Sequence, residues 1–281
     1  MSGAPEEIRV EGLSKAFGAH QVLSGIDLSI ERGEIIAIVG GSGSGKTVLL
    51  NHILGRLDPD EGRVLVADHD MDGAPLIDLT TLDTVETDRL HTHWGVVFQR
   101  NALFSGTVLD NIGLWLSEVR GMEEPEIIGV TRKVLAAVDL PDSDDFMDTD
   151  VNELSGGMAK RLAVARALAM DPEVLFYDEP TTGLDPTTAF TMHDLIARTH
   201  LEQTRSGNRR TTLIVTHDKD LLRRLQPRTI MLHDGGVFFD GPFADFEGSS
   251  SPIIRPYFDL MPALHGRALD PRDLPPPGHE D

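Results

Sequence analysis

The sequence contains no cysteine, which excludes disulfide scaffolds, thiolate zinc sites and cysteine nucleophiles. A reducing compartment, where cysteine has little structural use, accounts for that absence. Basic residues are scarce as well. Lys and Arg number 25 against 46 Asp and Glu, a net charge of −21. That balance excludes general affinity for nucleic acid or an anionic lipid surface, both of which require Lys/Arg patches. No apolar run approaches the ~18 residues that a bilayer span needs. Residues Met1 to Val10 lack the basic stretch and apolar core of a signal peptide. The expected location is therefore the cytoplasm, with any work at a membrane done through a partner. At 281 residues the chain is near the upper limit for one hydrophobic core, so one large domain carrying subdomains is expected.

Residues 8–39 begin with short alternations of apolar and polar residues, such as Ile8-Arg9-Val10 and Ile26-Asp27-Leu28-Ser29-Ile30, the pattern of half-buried strands. Glu34-Ile35-Ile36-Ala37-Ile38-Val39 is continuously apolar after its first residue, as a strand buried on both faces is. Val174–Tyr177 and Thr212–Val215 repeat that pattern. Helical patterns follow each, at Thr47–Leu54, Thr187–Leu201 and Lys219–Leu225. Strand-then-helix repetition predicts an α/β core with a mostly parallel sheet. A segment at about 100–150 with helical periodicity (Ile127, Val130, Val134, Leu135, Val138) predicts a helical insertion. The chain turns Pro-rich from about Gly248 and ends near Leu274-Pro275-Pro276-Pro277, where disorder is expected.

Gly40-Gly41-Ser42-Gly43-Ser44-Gly45-Lys46-Thr47 matches G-x-x-x-x-G-K-[ST] in full. Glycines let successive backbone N–H groups converge on phosphates, and the helix starting near Lys46 adds its positive dipole end. Lys46 is assigned to the β/γ-phosphates and the Thr47 hydroxyl to Mg²⁺. With Val48, these residues form the predicted nucleotide cradle. A Rossmann dinucleotide frame does not fit, because Val48 stands three residues after Gly45 where its last glycine belongs. A second strand, Val174-Leu175-Phe176-Tyr177, delivers Asp178-Glu179. Asp178 is the expected metal carboxylate. Glu179 is the expected general base on the attacking water, a task that depends first on hydrogen-bond reach.

Leu154-Ser155-Gly156-Gly157-Met158, upstream of that strand, resembles the signature motif of ABC ATPases. The resemblance extends over most of residues 8–245, with every element in order. It implies a P-loop NTPase, RecA-like core with an N-terminal antiparallel β subdomain and a helical subdomain at about 100–165. Residues 246–281 then form a C-terminal extension. By resemblance, Phe17 stacks on adenine, and Gln99, in Val97-Phe98-Gln99, links metal and nucleophilic water to the transporter. Gly183-Leu184-Asp185 is similar to the D-loop, and His217, after Leu213-Ile214-Val215-Thr216, to the switch histidine on the γ-phosphate. Ser155, Gly156 and Gly157 open a helix predicted over Met158–Met170, whose bare N–H groups face a γ-phosphate. In this family that phosphate belongs to the other protomer, so ATP bridges a head-to-tail homodimer.

Most members power a separate membrane permease, and an acidic surface suits permease loops enriched in Lys/Arg. Three details resemble the Mce/Mla-type ATPases that move phospholipids or other lipids. They are Met158 ending the signature, the stretch Phe98–Asn111, and a tail (Ser251–Phe258) too short for the β-barrel of sugar importers. That resemblance further implies a small regulatory subunit, an Mce-domain lipid-binding partner and a tail that wraps the second protomer. The alternatives are a small-solute importer, such as one for an amino acid, and a non-transport ATPase such as an iron–sulfur assembly scaffold. DNA-repair forms are excluded by the missing coiled-coil run, and two-cassette ribosome factors by the single cassette. Asp142–Glu153 mimics a calcium loop, but Met147 occupies the position where the sharp turn needs Gly, so a solvated acidic loop is expected. His91 and His93 lack further ligands at metal spacing and are expected on the surface.

Overall fold

The computed structural model describes residues 5–204 and 206–260. The Pro-rich run at 274–277 lies outside them. β1 (Glu6–Phe17) and β2 (His20–Glu31) form an antiparallel hairpin with Val10 opposite Leu28 and Phe17 opposite His20. β3 (Ile35–Gly40) then leads through the glycine-rich loop into α1 (Lys46–Ile53). β4 (Glu61–Ala67) pairs with the free side of β1, and β5 (Leu76–Asp78) pairs with β4. The result is a four-stranded antiparallel sheet of order β2-β1-β4-β5.

α2 (Thr84–His91) and β6 (Trp94–Val97) lead into the helical insertion. The insertion comprises α3 (Val108–Glu118), α4 (Glu124–Ala137), α5 (Asp144–Met147) and α6 (Gly156–Ala169). β7 (Val174–Asp178), α7 (Pro186–Leu201), β8 (Thr211–Val215) and α8 (Lys219–Leu225) complete two strand–helix units. β9 (Arg228–His233) and β10 (Gly236–Pro242) follow, then α9 (Phe243–Glu247) and α10 (Ile254–Leu260). The second sheet has the order β10-β9-β3-β8-β7-β6. Its strands are parallel except for the β9–β10 edge.

The continuously apolar strands are buried on both faces because they separate different cores. Val174 and Phe176 of β7 join Ile36, Ile38, Leu49 and Ile53 under the antiparallel sheet. Leu175 and Tyr177, pointing the other way, join Leu162, Leu195 and Ile214 against α6 and α7. Each fully buried aliphatic side chain of this kind contributes about 1.5–3 kcal/mol. A third cluster, with Ala37, Val39 and Met231, is covered by Phe243 and Phe246 of α9 and by Ile254 and Phe258 of α10.

Three expectations change. The signature helix starts at Gly156 rather than Met158, because the Ser155 side chain accepts from the Met158 N–H at 3.3 Å and caps it. The acidic stretch 142–153 is not a plain loop: Ser143 caps α5, and Asp150 caps a 3₁₀ turn at Val151–Glu153. His91 and His93 are half-buried rather than on the surface. His91 Nε2 lies 3.0 Å from the Leu54 carbonyl and its ring packs on Trp94, while His93 Nε2 lies 2.9 Å from Asp70 Oδ1.

Candidate functional site

The C-terminal ends of the parallel strands converge, the place where open α/β sheets bind ligands. β3 ends at Gly40, whose φ of 151° lies outside the range of most side chains. A Cβ there would meet Ser44 Oγ at 2.5 Å and the Leu232 carbonyl at 2.6 Å. The loop returns over itself so tightly that Lys46 Nζ donates to the carbonyls of Gly40 (2.8 Å) and Gly41 (3.0 Å). Burial lowers the Lys46 pKa, and the Glu179 and Asp178 carboxylates oppose that shift. Ser44 Oγ is buried with no hydrogen-bond partner among the described residues. Buried polar groups are nearly always hydrogen-bonded, so an unmatched buried hydroxyl stands out in this loop. Gly41, Ser42, Gly43 and Thr47 are exposed, whereas Gly45 is buried and Val48 packs against the first core.

Asp178 ends β7, paired with Val215 of β8. Burial, reinforced by Glu179, raises the Asp178 pKa, with Lys160 and Lys46 acting against it. Glu179 takes a left-handed backbone, φ 50°, and its N–H donates to the Val215 carbonyl at 2.8 Å. That kink turns the carboxylate toward the end of β8, where Glu179 Oε2 lies 2.7 Å from His217 Nδ1. The Glu179 hydrogen bond raises the His217 pKa above its ordinary value, against partial burial. Lys46, Asp178, Glu179 and His217 thus form one electrostatic cluster.

The residue after the histidine fixes its mount. Asp218 is buried, with Oδ2 2.7 Å from His193 Nε2 and accepting from Thr181 Oγ1 at 2.8 Å. Its other oxygen caps α8 through the N–H groups of Asp220 and Leu221. The sequence reading assigned nothing to His193 or Thr181, which reach Asp218 from 25 and 37 positions away.

Ser155, Gly156 and Gly157 group with the start of α7. A Cβ on Gly157 would lie 2.6 Å from Thr188 Cγ2. Asp185 caps α7, accepting from the N–H groups of Thr187 (3.0 Å) and Thr188 (3.1 Å). Gln99 is exposed just past β6, and its carbonyl accepts from Lys160 Nζ at 2.8 Å. Phe17 is 51% exposed at the β1–β2 hairpin tip, with the Lys15 ammonium 5.8 Å from its ring centroid. An aromatic left this open is not a core residue. Lys160 also escaped the sequence reading. Its signal was present, since Ala163, Val164 and Ala167 at helical spacing place it on a buried face.

The ABC transporter family model matches residues 23–182. The chain is 34% identical over 262 residues to Protein TRIGALACTOSYLDIACYLGLYCEROL 3, chloroplastic, of Arabidopsis thaliana, covering 89% of this chain and 72% of that protein. It is 32% identical over 265 residues to the probable ribonucleotide transport ATP-binding protein mkl of Mycobacterium tuberculosis, covering 94% and 68%. Identity to the L-cystine transport system ATP-binding protein TcyN of Escherichia coli is 37% over 254 residues, covering 90% and 97%. Among solved structures, the post-hydrolysis dimer of an ATP-binding cassette bound to ADP and Pi superposes with a TM-score of 0.70 at 30% identity. That match covers 84% of this chain and 98% of the other. The chain belongs to the ABC transporter family. It is an ATP-binding, ATP-hydrolysing subunit of such a transporter, and no described helix is long and apolar enough to cross a membrane.

Proposed function

We propose that this subunit hydrolyses ATP in a head-to-tail homodimer to drive a separate permease that moves phospholipid or another lipid. The observation that carries the hydrolytic part is the 2.7 Å contact between Glu179 and His217, beside the Lys46 loop. Glu179 is the general base on the attacking water, and His217 donates to the γ-phosphate. The backbone of Gly40–Thr47 and the Lys46 ammonium, released from its own loop carbonyls, bind the phosphates. Phe17 stacks on adenine. Ser155, Gly156 and Gly157 cap the γ-phosphate bound by the second protomer, with Asp185 across the same interface.

Thr47 and Asp178, with Gln99, are the donors proposed for Mg²⁺. Hydroxyl, carboxylate and amide oxygens are the hard donors this ion takes. The fit has a physical basis at Asp178, whose pKa burial raises first and the adjacent Glu179 second, so an added cation would offset both. When bound, the metal neutralises charge on the β/γ-phosphate oxygens.

A groove of about 700 Å³ opens beside the Gln99 loop, lined by Arg56, Phe98, Phe104, Trp115 and Val119 among others. Trp115 and Phe104 are 50% and 45% exposed. Its proposed occupant is a cytoplasmic helix of the permease, which would press directly on Phe98 and the residue after it. Similarity to a relative named for a galactolipid supports the lipid reading of the cargo. The 37% identity to a cystine-transport ATPase favours a second reading, a small-solute importer.

A tagged pull-down from detergent-solubilised membranes, with mass spectrometry, tests the cargo. A multi-span permease with an Mce-domain lipid-binding protein supports lipid transport. A permease with a small-solute binding protein overturns it and leaves the ATPase role standing.

A further inference from the structure

Two cations on α6 grip the loop that follows β6. Lys160, only 2% exposed, donates from Nζ to the carbonyls of Gln99 (2.8 Å) and Phe98 (3.1 Å). Arg166, further along the same helix, donates to the carbonyls of Ala102 (2.8 Å) and Asn101 (3.3 Å). Its guanidinium also lies 5.3 Å from the Phe104 ring centroid, and Arg56 lies 4.5 Å from that of Phe98. Ala102 holds a left-handed backbone, φ 48°, a conformation kept only where the surroundings over-determine it. The loop that carries Gln99 is therefore strapped along the helix that begins with Gly156 and Gly157.

A lysine is a costly strap. Burial lowers its pKa, and the carboxylates that oppose this are Asp178 first, then Glu179. Reciprocally, Lys160 resists the burial that raises the Asp178 pKa.

We propose that Lys160 is a positioning residue for ATP hydrolysis. Its ammonium fixes the Gln99 loop to the signature helix by donating to the carbonyls of Gln99 and Phe98. This rests on the roles given above to Gln99 and Glu179. One side chain then joins the wall of the groove, through Phe98, to the position of Gln99.

Steady-state ATP hydrolysis by the full chain tests this. Lys160→Met keeps the length and the apolar stem and removes the charge. Its kcat should fall roughly tenfold or more, as small misplacements near a reacting centre do. KM for ATP should change less than about twofold, because ATP binding does not involve the residue. Tm should fall, because the carbonyls of Gln99 and Phe98 lose their buried donor, so kcat is compared well below the variant's melting temperature. Lys160→Arg should recover part of kcat. The double variant Lys160→Met/Gln99→Ala should lose no more than the worse single variant, because both act through one loop. With Gln99→Ala impaired, wild-type kcat in Lys160→Met, or additive losses in the double variant, overturns the proposal. Wild-type kcat in Gln99→Ala overturns the role of Gln99 first, and the proposal with it. If Lys160→Met fails to fold, Lys160→Leu removes the same donor with a different apolar stem, and wild-type kcat there overturns the proposal.

Discussion

His217 Nδ1 stands 2.7 Å from Glu179 Oε2, although 38 positions of sequence and two strand ends separate them. The contact exists because the Glu179 N–H is bound to the Val215 carbonyl, which brings the end of β7 against the end of β8. The proposed base and its neighbouring histidine are thereby paired within one protomer. Glu179→Gln removes the carboxylate and keeps the shape. Turnover should fall by at least a hundredfold, in line with loss of a general base, while ATP binding and ATP-dependent dimerisation persist. Size-exclusion chromatography with ATP reads the second effect, and wild-type turnover would remove Glu179 from the role. Histidine NMR should also find the His217 pKa moving down toward 6.5 in this variant, since Glu179 is the largest cause of its rise.

The same pair has a pH signature in stability. A histidine whose folded pKa is raised contributes fully below its unfolded value near 6.5. The contribution is lost as pH rises through the raised folded value. The Tm difference between wild type and His217→Ala should therefore be larger at pH 6 than at pH 9. The side chain is 47% exposed, so solvent screening keeps the effect below about 1 kcal/mol. A difference that grows with pH would contradict the ion pair.

Gly157 is constrained by Thr188, whose Cγ2 would lie 2.6 Å from an added Cβ. The Thr188 hydroxyl is itself held by Asp185, so the methyl cannot swing away freely. Gly157→Ala should destabilise by about 1–3 kcal/mol, the usual cost of overpacking. Thr188→Ser removes that methyl and keeps the hydroxyl, so the pair Gly157→Ala/Thr188→Ser should recover most of the loss in denaturant melts. An unrescued double variant would place the strain elsewhere.

The composite site is tested by mixing crippled protomers. Lys46→Ala should lose ATP affinity by calorimetry, because the ammonium is the cation inside the loop. Ser155→Arg should bind ATP and fail to hydrolyse it, since its own loop is intact. Heterodimers of the two should regain hydrolysis at one site. Zero activity in a confirmed heterodimer would contradict the shared arrangement.

The glycine-rich loop and the Asp178-Glu179 strand end were legible because their chemistry is written in local order: an apolar strand, then the functional residues, then a helix. The same holds for the α/β sheet, whose doubly buried strands read as unbroken apolar runs. Contacts between distant positions were not legible. Asp218 meets His193 only because α7 lies beside the end of β8, and no spacing rule connects them. Lys160 was missed for a different reason. Lysine is ordinarily a surface residue, and that expectation outweighed a helical register that placed it inside. His91 and His93 were misread likewise, because the partners that half-bury them, Trp94, Leu54 and Asp70, arrive from β6, α1's end and the β4–β5 connection.

Glu179 sits in a left-handed backbone, a conformation that costs a side-chain-bearing residue roughly 1–2 kcal/mol. Glycine would relieve that strain, but it carries no carboxylate to turn toward His217. At this one position the residue best suited to a durable fold and the residue proposed for turnover are different amino acids. On the proposed role, selection for thermal robustness alone would favour a protein inert at this site, and the strained glutamate would mark where durability yields to chemistry.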